Sequence, residues 1–178
     1  MSTRPRGISR CGLSRSSCCS AAPSCSSPGC GACGAPVTRL VADPGFVHRL
    51  RVRYAEVDAQ GVVFNAHWLT YFDEASTRFF DWLGYDPRVA FFSEFDVMVV
   101  HADLSWEGPA GFDDEVEIAV VPVRLGTSSF DLRFTATVRS EPTCTGVTTY
   151  VSVTPGTHDA TPLPDDLRAR LAKVAELD

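Results

Sequence analysis

The sequence predicts an α+β domain in which one antiparallel sheet curves around a single long helix. Two patterns carry that expectation. From Asn65 to Leu83, small or apolar residues (Trp68, Leu69, Phe72, Ala75, Ser76, Phe79, Phe80, Leu83) recur at three and four positions, the period of a helix. Before and after it, apolar and polar residues alternate, the period of a half-buried strand. Phe79, Phe80 and Trp82 point to different sides, so this helix is apolar around most of its circumference and needs enclosure. A single sheet provides it only by bending around the helix.

The elements follow in order. Residues 1–36 are rich in Ser, Gly, Pro, Ala and Cys, and Ile8 and Leu13 are almost their only large apolar groups. They bury too little to offset ordering entropy, so residues 1–42 are expected to form a disordered extension and residues 43–178 the folded domain. Cys30-Gly-Ala-Cys33 has the spacing of half a zinc site, without a second CxxC or a nearby His. An Arg- and Ser-rich, acid-poor segment also suits an organelle transit peptide, or a start of translation nearer Val37.

Leu50, Val52 and Tyr54 alternate with Arg49, Arg51 and Arg53 as the first strand. The helix stops at Gly84, with Asp86-Pro87 beyond it, and Glu74 and Arg78 are spaced to pair on its polar face. Val89 to Phe95 has no clear pattern. Met98, Val100, Ala102, Leu104 and Trp106 mark one face of a second strand, and Val116, Ile118 and Val120 one face of a third, where Pro122 signals an edge or a bulge. Phe130, Leu132, Phe134, Ala136 and Val138 mark the fourth. After a turn at Glu141–Thr143, Val147, Thr149, Val151 and Val153 mark the fifth. A short helix, Asp165 to Leu177, closes the chain.

Composition excludes several classes. The formal charge of −6 divides unevenly: residues 1–42 carry five arginines and no acid, and the rest holds 11 basic and 22 acidic groups. So acidic a domain is not built to bind nucleic acid. No apolar run reaches the ~20 residues of a membrane helix. Six of the seven cysteines lie in the first 33 residues, leaving Cys144 alone in the domain. A domain with one cysteine has no disulfide framework and reads as cytoplasmic.

The chemistry gathers between the first strand and the helix. Asp58 follows the strand, Gly61 permits a tight turn, and Asn65 stands at the helix start. Free N–H groups there, close to a carboxylate, can polarise a carbonyl while the carboxylate directs attack on it. Asp58 alone would equally suit a turn or a cap, and Asn65 an ordinary helix start.

Arg51 to Leu69, RVRYAEVDAQGVVFNAHWL, resembles the signature of the 4-hydroxybenzoyl-CoA thioesterase-like acyl-CoA thioesterases, with the hotdog fold. The likeness joins the Asp-x-x-Gly-Val-Val core to the helix. It extends through Leu125 to Phe130, Tyr150 to Val153, and Pro162 and Pro164, covering roughly residues 46–170. It implies hydrolysis of an acyl-CoA with no metal and no cofactor beyond the coenzyme A of the substrate. Asp58 would be nucleophile or base, and the Asn65 backbone N–H would polarise the thioester. Gly61 would shape the turn, and Val62, Val63, Phe64, His67 and Trp68 would line the substrate. Arg124, with Arg88, Arg133 and Arg139 as other candidates, would meet the phosphates, and Ser128 and Ser129 the pantetheine arm. Many relatives read His-Ala-Asn where this chain has Asn65-Ala66-His67, a change that a backbone donor tolerates.

The resemblance also implies a homodimer, or a tetramer of dimers, with active sites at the subunit interface. Asp73 and Glu74 are rival bases on the helix. A non-catalytic acyl-CoA-binding protein and a hotdog hydratase or dehydratase are the competing functions.

Overall fold

The structure, a computed structural model, describes residues 45–86, 88 and 96–176. The expected extension over residues 1–42, its CxxC pair, and the segment Val89 to Phe95 lie outside the described residues. The elements are β1 (Val47–Arg51), a 3-10 turn (Tyr54–Glu56), α1 (Asn65–Trp82), β2 (Asp96–Trp106), β3 (Glu115–Leu125), β4 (Ser129–Val138), β5 (Glu141–Val153) and α2 (Asp165–Val174). The five strands form one sheet in the order β1-β3-β4-β5-β2, and every neighbouring pair is antiparallel. This is the expected α+β hotdog architecture.

The core lies between α1 and one face of the sheet. Phe72 of α1 stacks on Phe134 of β4, with ring centroids 4.7 Å apart. Phe80 meets Phe130 edge-on at 6.1 Å, and Phe130 stacks on Tyr150 of β5 at 5.2 Å. Val116, Ile118 and Val120 of β3 are buried on the same side. Each such side chain contributes roughly 1.5–3 kcal/mol on burial, so this face dominates the stability of the domain.

α1 ends as its sequence predicts. Gly84 has φ 95°, a left-handed position that suits glycine, and its N–H bonds to Asp81 O at 2.9 Å. α2 closes that end of the core with buried Leu167 and Leu171. Arg170 Nη1 donates to Leu83 O at 2.5 Å, and Tyr85 Oη donates to Asp166 Oδ2 at 2.7 Å. The carbonyls left open by the end of α1 thus gain a cationic partner.

Several local expectations change. Tyr54 is no strand residue; it enters the 3-10 turn and is 79% exposed. Pro122 marks a bulge, the β3–β4 register shifting between Pro122 and Arg124, and it lies past Ala119, the last β3 residue that pairs with β1. A second shift, between Val99 and His101, divides the single apolar face expected of β2. On β5 the buried positions are Thr143, Cys144, Gly146, Thr148, Tyr150, Ser152 and Val153, so of the expected face Val153 is buried while Val147, Thr149 and Val151 are only half-buried. The β4–β5 turn is at Arg139 and Ser140, both with positive φ. α1 is enclosed on one side only, for Leu69 and Trp82 stay about half exposed.

Candidate active site

β1 delivers the chain to Val52, which is pinned in both directions: its N–H reaches Asp114 O at 2.9 Å and its carbonyl accepts Asp113 N–H at 3.0 Å. The 3-10 turn follows, then a small hairpin in which Val57 pairs with Val63. Asp58 and Gly61 form its tip. Gly61 N–H donates to Asp58 O at 2.9 Å, and Asp58 N–H donates to Val62 O at 2.9 Å. The tip requires φ 77° at residue 61, which is the reason for glycine there. Val62 pairs with Gly111, and Val63 N–H reaches Ala110 O at 2.8 Å, so the hairpin is also fastened to the segment leading into β3.

Asp58 is half-buried. Its Oδ1 accepts the Gln60 N–H at 2.8 Å and the Val62 N–H at 3.4 Å, the bonding of an Asx turn. Turned with its nitrogen toward the carboxylate, the Gln60 side chain also donates to Oδ2 at 2.8 Å.

Asn65 is the first helical residue and Phe64 the cap, with no side-chain capping bond. The Phe64 N–H is taken by Glu56 O at 2.9 Å, and the His67 N–H by Phe64 O at 2.9 Å. Among the described residues the N–H groups of Asn65 and Ala66 have no acceptor. A helix that starts without Ser, Thr, Asp or Asn at its cap leaves donors and partial positive charge for a ligand. The hairpin thus puts the carboxylate and the open helix start at two ends of one short loop.

The other expected site residues divide. Val63 and Trp68 are buried at 3% and 2% exposure and belong to the core, where Trp68 packs edge-on against Tyr71 at 5.6 Å. Val62 and His67 are half-buried, and Phe64 is exposed with its ring centroid 6.1 Å from that of His67. Arg124 is paired with Asp131 at 2.6 Å and touches Ser129 Oγ at 3.3 Å. This bond raises the Arg124 pKa and holds the Asp131 carboxyl below its usual range. Ser128 O accepts the Ser152 N–H at 2.8 Å.

Arg124, Ser128 and Ser129 cluster beyond the far end of β3 from Asp58. Nine residues of β3, Glu115 to Val123, precede Arg124, roughly 30 Å of strand. Three clefts lined by described residues also lie elsewhere: one of about 750 Å³ bordered by Arg78, Tyr85 and Arg88, one bordered by Phe46, His48 and Trp82, and one on the outer sheet face at Asp103, Arg133 and Thr145.

Of the rival bases, Glu74 lies 3.6 Å from His48 Nε2 on β1. No ion pair joins it to Arg78 among the described residues. Sequence reasoning missed Glu56 and Tyr71. Glu56 is 4% exposed, and its Oε2 accepts Tyr71 Oη at 2.7 Å. The one available signal was its spacing three residues after Arg53, that of a capping carboxylate. Among the described residues no group of three or more His, Cys, Asp or Glu is placed to hold a metal ion.

Residues 52–171 match the model of the thioesterase-like superfamily. A 1,4-dihydroxy-2-naphthoyl-CoA hydrolase of Synechococcus elongatus is 28% identical over 127 residues, which cover 70% of this chain and 93% of that protein. Among solved structures, a thioesterase from Thermus thermophilus in complex with coenzyme A and zinc superposes with a TM-score of 0.64 at 27% identity, covering 72% of this chain and 92% of that one. A 1,4-dihydroxy-2-naphthoyl-CoA thioesterase from Synechocystis superposes with a TM-score of 0.65 at 18% identity, over 71% of this chain and 95% of that one, and shares the fold.

Proposed function

Because the chain belongs to the thioesterase-like superfamily, matched over residues 52–171, we propose that it hydrolyses an acyl-CoA thioester to a free acid and coenzyme A with Asp58 and the Asn65 amide. The observation that carries this reading is the open start of α1: Phe64 N–H is spent on Glu56 O, and the next amide, Asn65, has no acceptor among the described residues. A thioester oxygen seated there would develop its negative charge against a fixed donor. One such donor is typically worth ~2.7–4 kcal/mol of barrier.

Asp58 then acts on the carbonyl carbon in one of two balanced ways. As base it takes a proton from water as the hydroxide oxygen adds, and the tetrahedral intermediate expels the coenzyme A thiolate. As nucleophile it forms an acyl-aspartyl anhydride with loss of the thiolate, and water cleaves the anhydride. Positioned base catalysis typically contributes about 10²- to 10⁴-fold, on the order of the loss expected when the carboxylate is removed.

The activity of the Synechococcus elongatus relative supports an aryl acyl group as the first to test. The coenzyme A bound to the Thermus thermophilus thioesterase supports the carrier. No cofactor other than the substrate's own coenzyme A enters the reaction. The separation of Asp58 from Arg124, Ser128 and Ser129 along β3 supports a homodimer, in which one copy's phosphate and pantetheine contacts serve the other copy's carboxylate. Among the described residues no helix is long and apolar enough to cross a membrane. Cys144, the one cysteine described, is buried.

The test is thiol release from benzoyl-, 1,4-dihydroxy-2-naphthoyl-, octanoyl- and palmitoyl-CoA by the wild type and by Asp58→Asn. Release by the wild type, and its loss in the variant with acyl-CoA binding retained, is the expected result. An unchanged kcat in Asp58→Asn would overturn the site. Binding without release would favour a carrier, and hydration of an unsaturated acyl chain would favour a hydratase.

A further inference from the structure

Glu56 is a carboxylate buried to 4% exposure, and the hydrolysis described above gives it no chemical step. Burying a charge is costly unless it is fully bonded, and here it is. Oε2 accepts the Arg53 N–H at 2.8 Å and Tyr71 Oη at 2.7 Å, and Oε1 accepts Arg53 Nε at 2.7 Å and Arg53 Nη2. Burial pushes its pKa up, but the Arg53 and Tyr71 bonds outweigh burial and lower it overall, so the group is ionised at neutral pH.

Those bonds join three pieces of the site. Arg53 starts the 3-10 turn, Glu56 leads into the Asp58 hairpin, and Tyr71 stands six residues into α1, beside Trp68 and itself 3% exposed. The Glu56 carbonyl also takes the Phe64 N–H, which leaves Asn65 as the next free donor. Phe64 alone would let α1 tilt about its first residue relative to the hairpin. A second tie nearly two turns along removes that tilt.

From these contacts we infer that Glu56 is a positioning residue for thioester hydrolysis: through Tyr71 it holds the start of α1 at one fixed orientation to the hairpin that carries Asp58. The inference rests on the reading of Asp58 and the Asn65 amide as the reacting pair. Its physical basis is the steep cost of misalignment, since a displacement of ~1 Å at a reacting group can cost ~10²-fold in rate. Glu56 touches no substrate. Its effect is on the geometry of the transition state, so it should change kcat more than KM.

The experiment measures kcat and KM per folded chain for Tyr71→Phe and Glu56→Gln, each alone and combined with Asp58→Asn, on the acyl-CoA of the panel that the wild type hydrolyses fastest. Tyr71→Phe removes one hydroxyl and keeps the ring, so it decides the matter if Glu56→Gln fails to fold. The expected result is a loss in kcat of about 10- to 100-fold with KM within about twofold. Added to Asp58→Asn, Tyr71→Phe should bring little further loss, because the alignment it protects no longer has a carboxylate to serve.

A merely structural role predicts a lower folded fraction with kcat per folded chain unchanged. An unchanged kcat in folded Tyr71→Phe overturns the inference, as does a loss that multiplies in full with that of Asp58→Asn. If Asp58→Asn itself retains full turnover, the site reading fails, and that outcome is distinct from an inactive Asp58→Asn beside a fully active Tyr71→Phe.

Discussion

The ring of Phe72 on α1 lies directly over the bare Cα of Gly146 on β5. A Cβ built at residue 146 would stand 2.8 Å from Phe72 Cε2 and 2.9 Å from the Asp103 carbonyl oxygen. Gly146 pairs with Phe134, the residue on which Phe72 stacks. The helix approaches the sheet this closely because β5 offers no side chain there. Gly146→Ala is therefore expected to destabilise the fold by about 1–3 kcal/mol, the usual cost of overpacking a filled core. Urea denaturation checks it, and an unchanged midpoint would show that α1 can retreat at no cost.

The same contact explains where the sequence was readable and where it was not. β4 alternates large apolar residues with polar ones, and all five of its expected inward residues are buried. On β5 the inward face is Cys144, Gly146, Thr148, Tyr150 and Ser152, small or polar because the aromatic rings of α1 and β4 fill the space. Val147 and Val151 stay half-buried on the other face and only Val153, at the end of the strand, is buried, so over most of β5 hydrophobicity selected the wrong face. The β4–β5 turn was misplaced because Arg139 and Ser140 adopt φ 53° and 67° without glycine or asparagine. The places of Asp58 and Gly61 before the helix and of Asn65 at its start were legible because a short spacing from strand to helix start determines them. Glu56 was not, since its role depends on Tyr71, fifteen residues away and visible only once the chain is folded.

His48 gives the acid limb of stability a definite sign. Its side chain is 14% exposed and its Nε2, 3.6 Å from Glu74, is buried without a hydrogen bond. Burial lowers its pKa below 6.5, Glu74 opposes that shift, and Arg78 adds to it. The unfolded chain therefore binds the proton more readily than the folded one, and the neutral form favours folding. This contribution is complete above pH 6.5 and falls away as the pH drops from 6.5 through the lowered folded value. Unfolding free energies between about pH 5 and 8 should rise with pH more steeply in the wild type than in His48→Gln. Parallel curves would refute the assignment.

The last prediction concerns the free edge of the sheet. Among the described residues β2 pairs with β5 on one side only, being last in the strand order. Met98, Val99 and Val100 are 43%, 52% and 60% exposed, and Trp106 on the same strand is 54% exposed. An open edge with consecutive exposed apolar residues is a template for pairing, and stable monomers usually blunt such an edge with charge or proline. A second copy set antiparallel along β2 would cover it and extend the sheet. It would also provide the phosphate and pantetheine contacts that a single chain holds far from Asp58. Val100→Lys puts a charge into that seam without touching Asp58, Glu56 or the start of α1. Sedimentation velocity should find a dimer or larger assembly in the wild type and a folded monomer in the variant, with thiol release falling in step with dissociation. A wild-type monomer with full activity would mean that one chain completes the site alone, and would refute the shared-site arrangement.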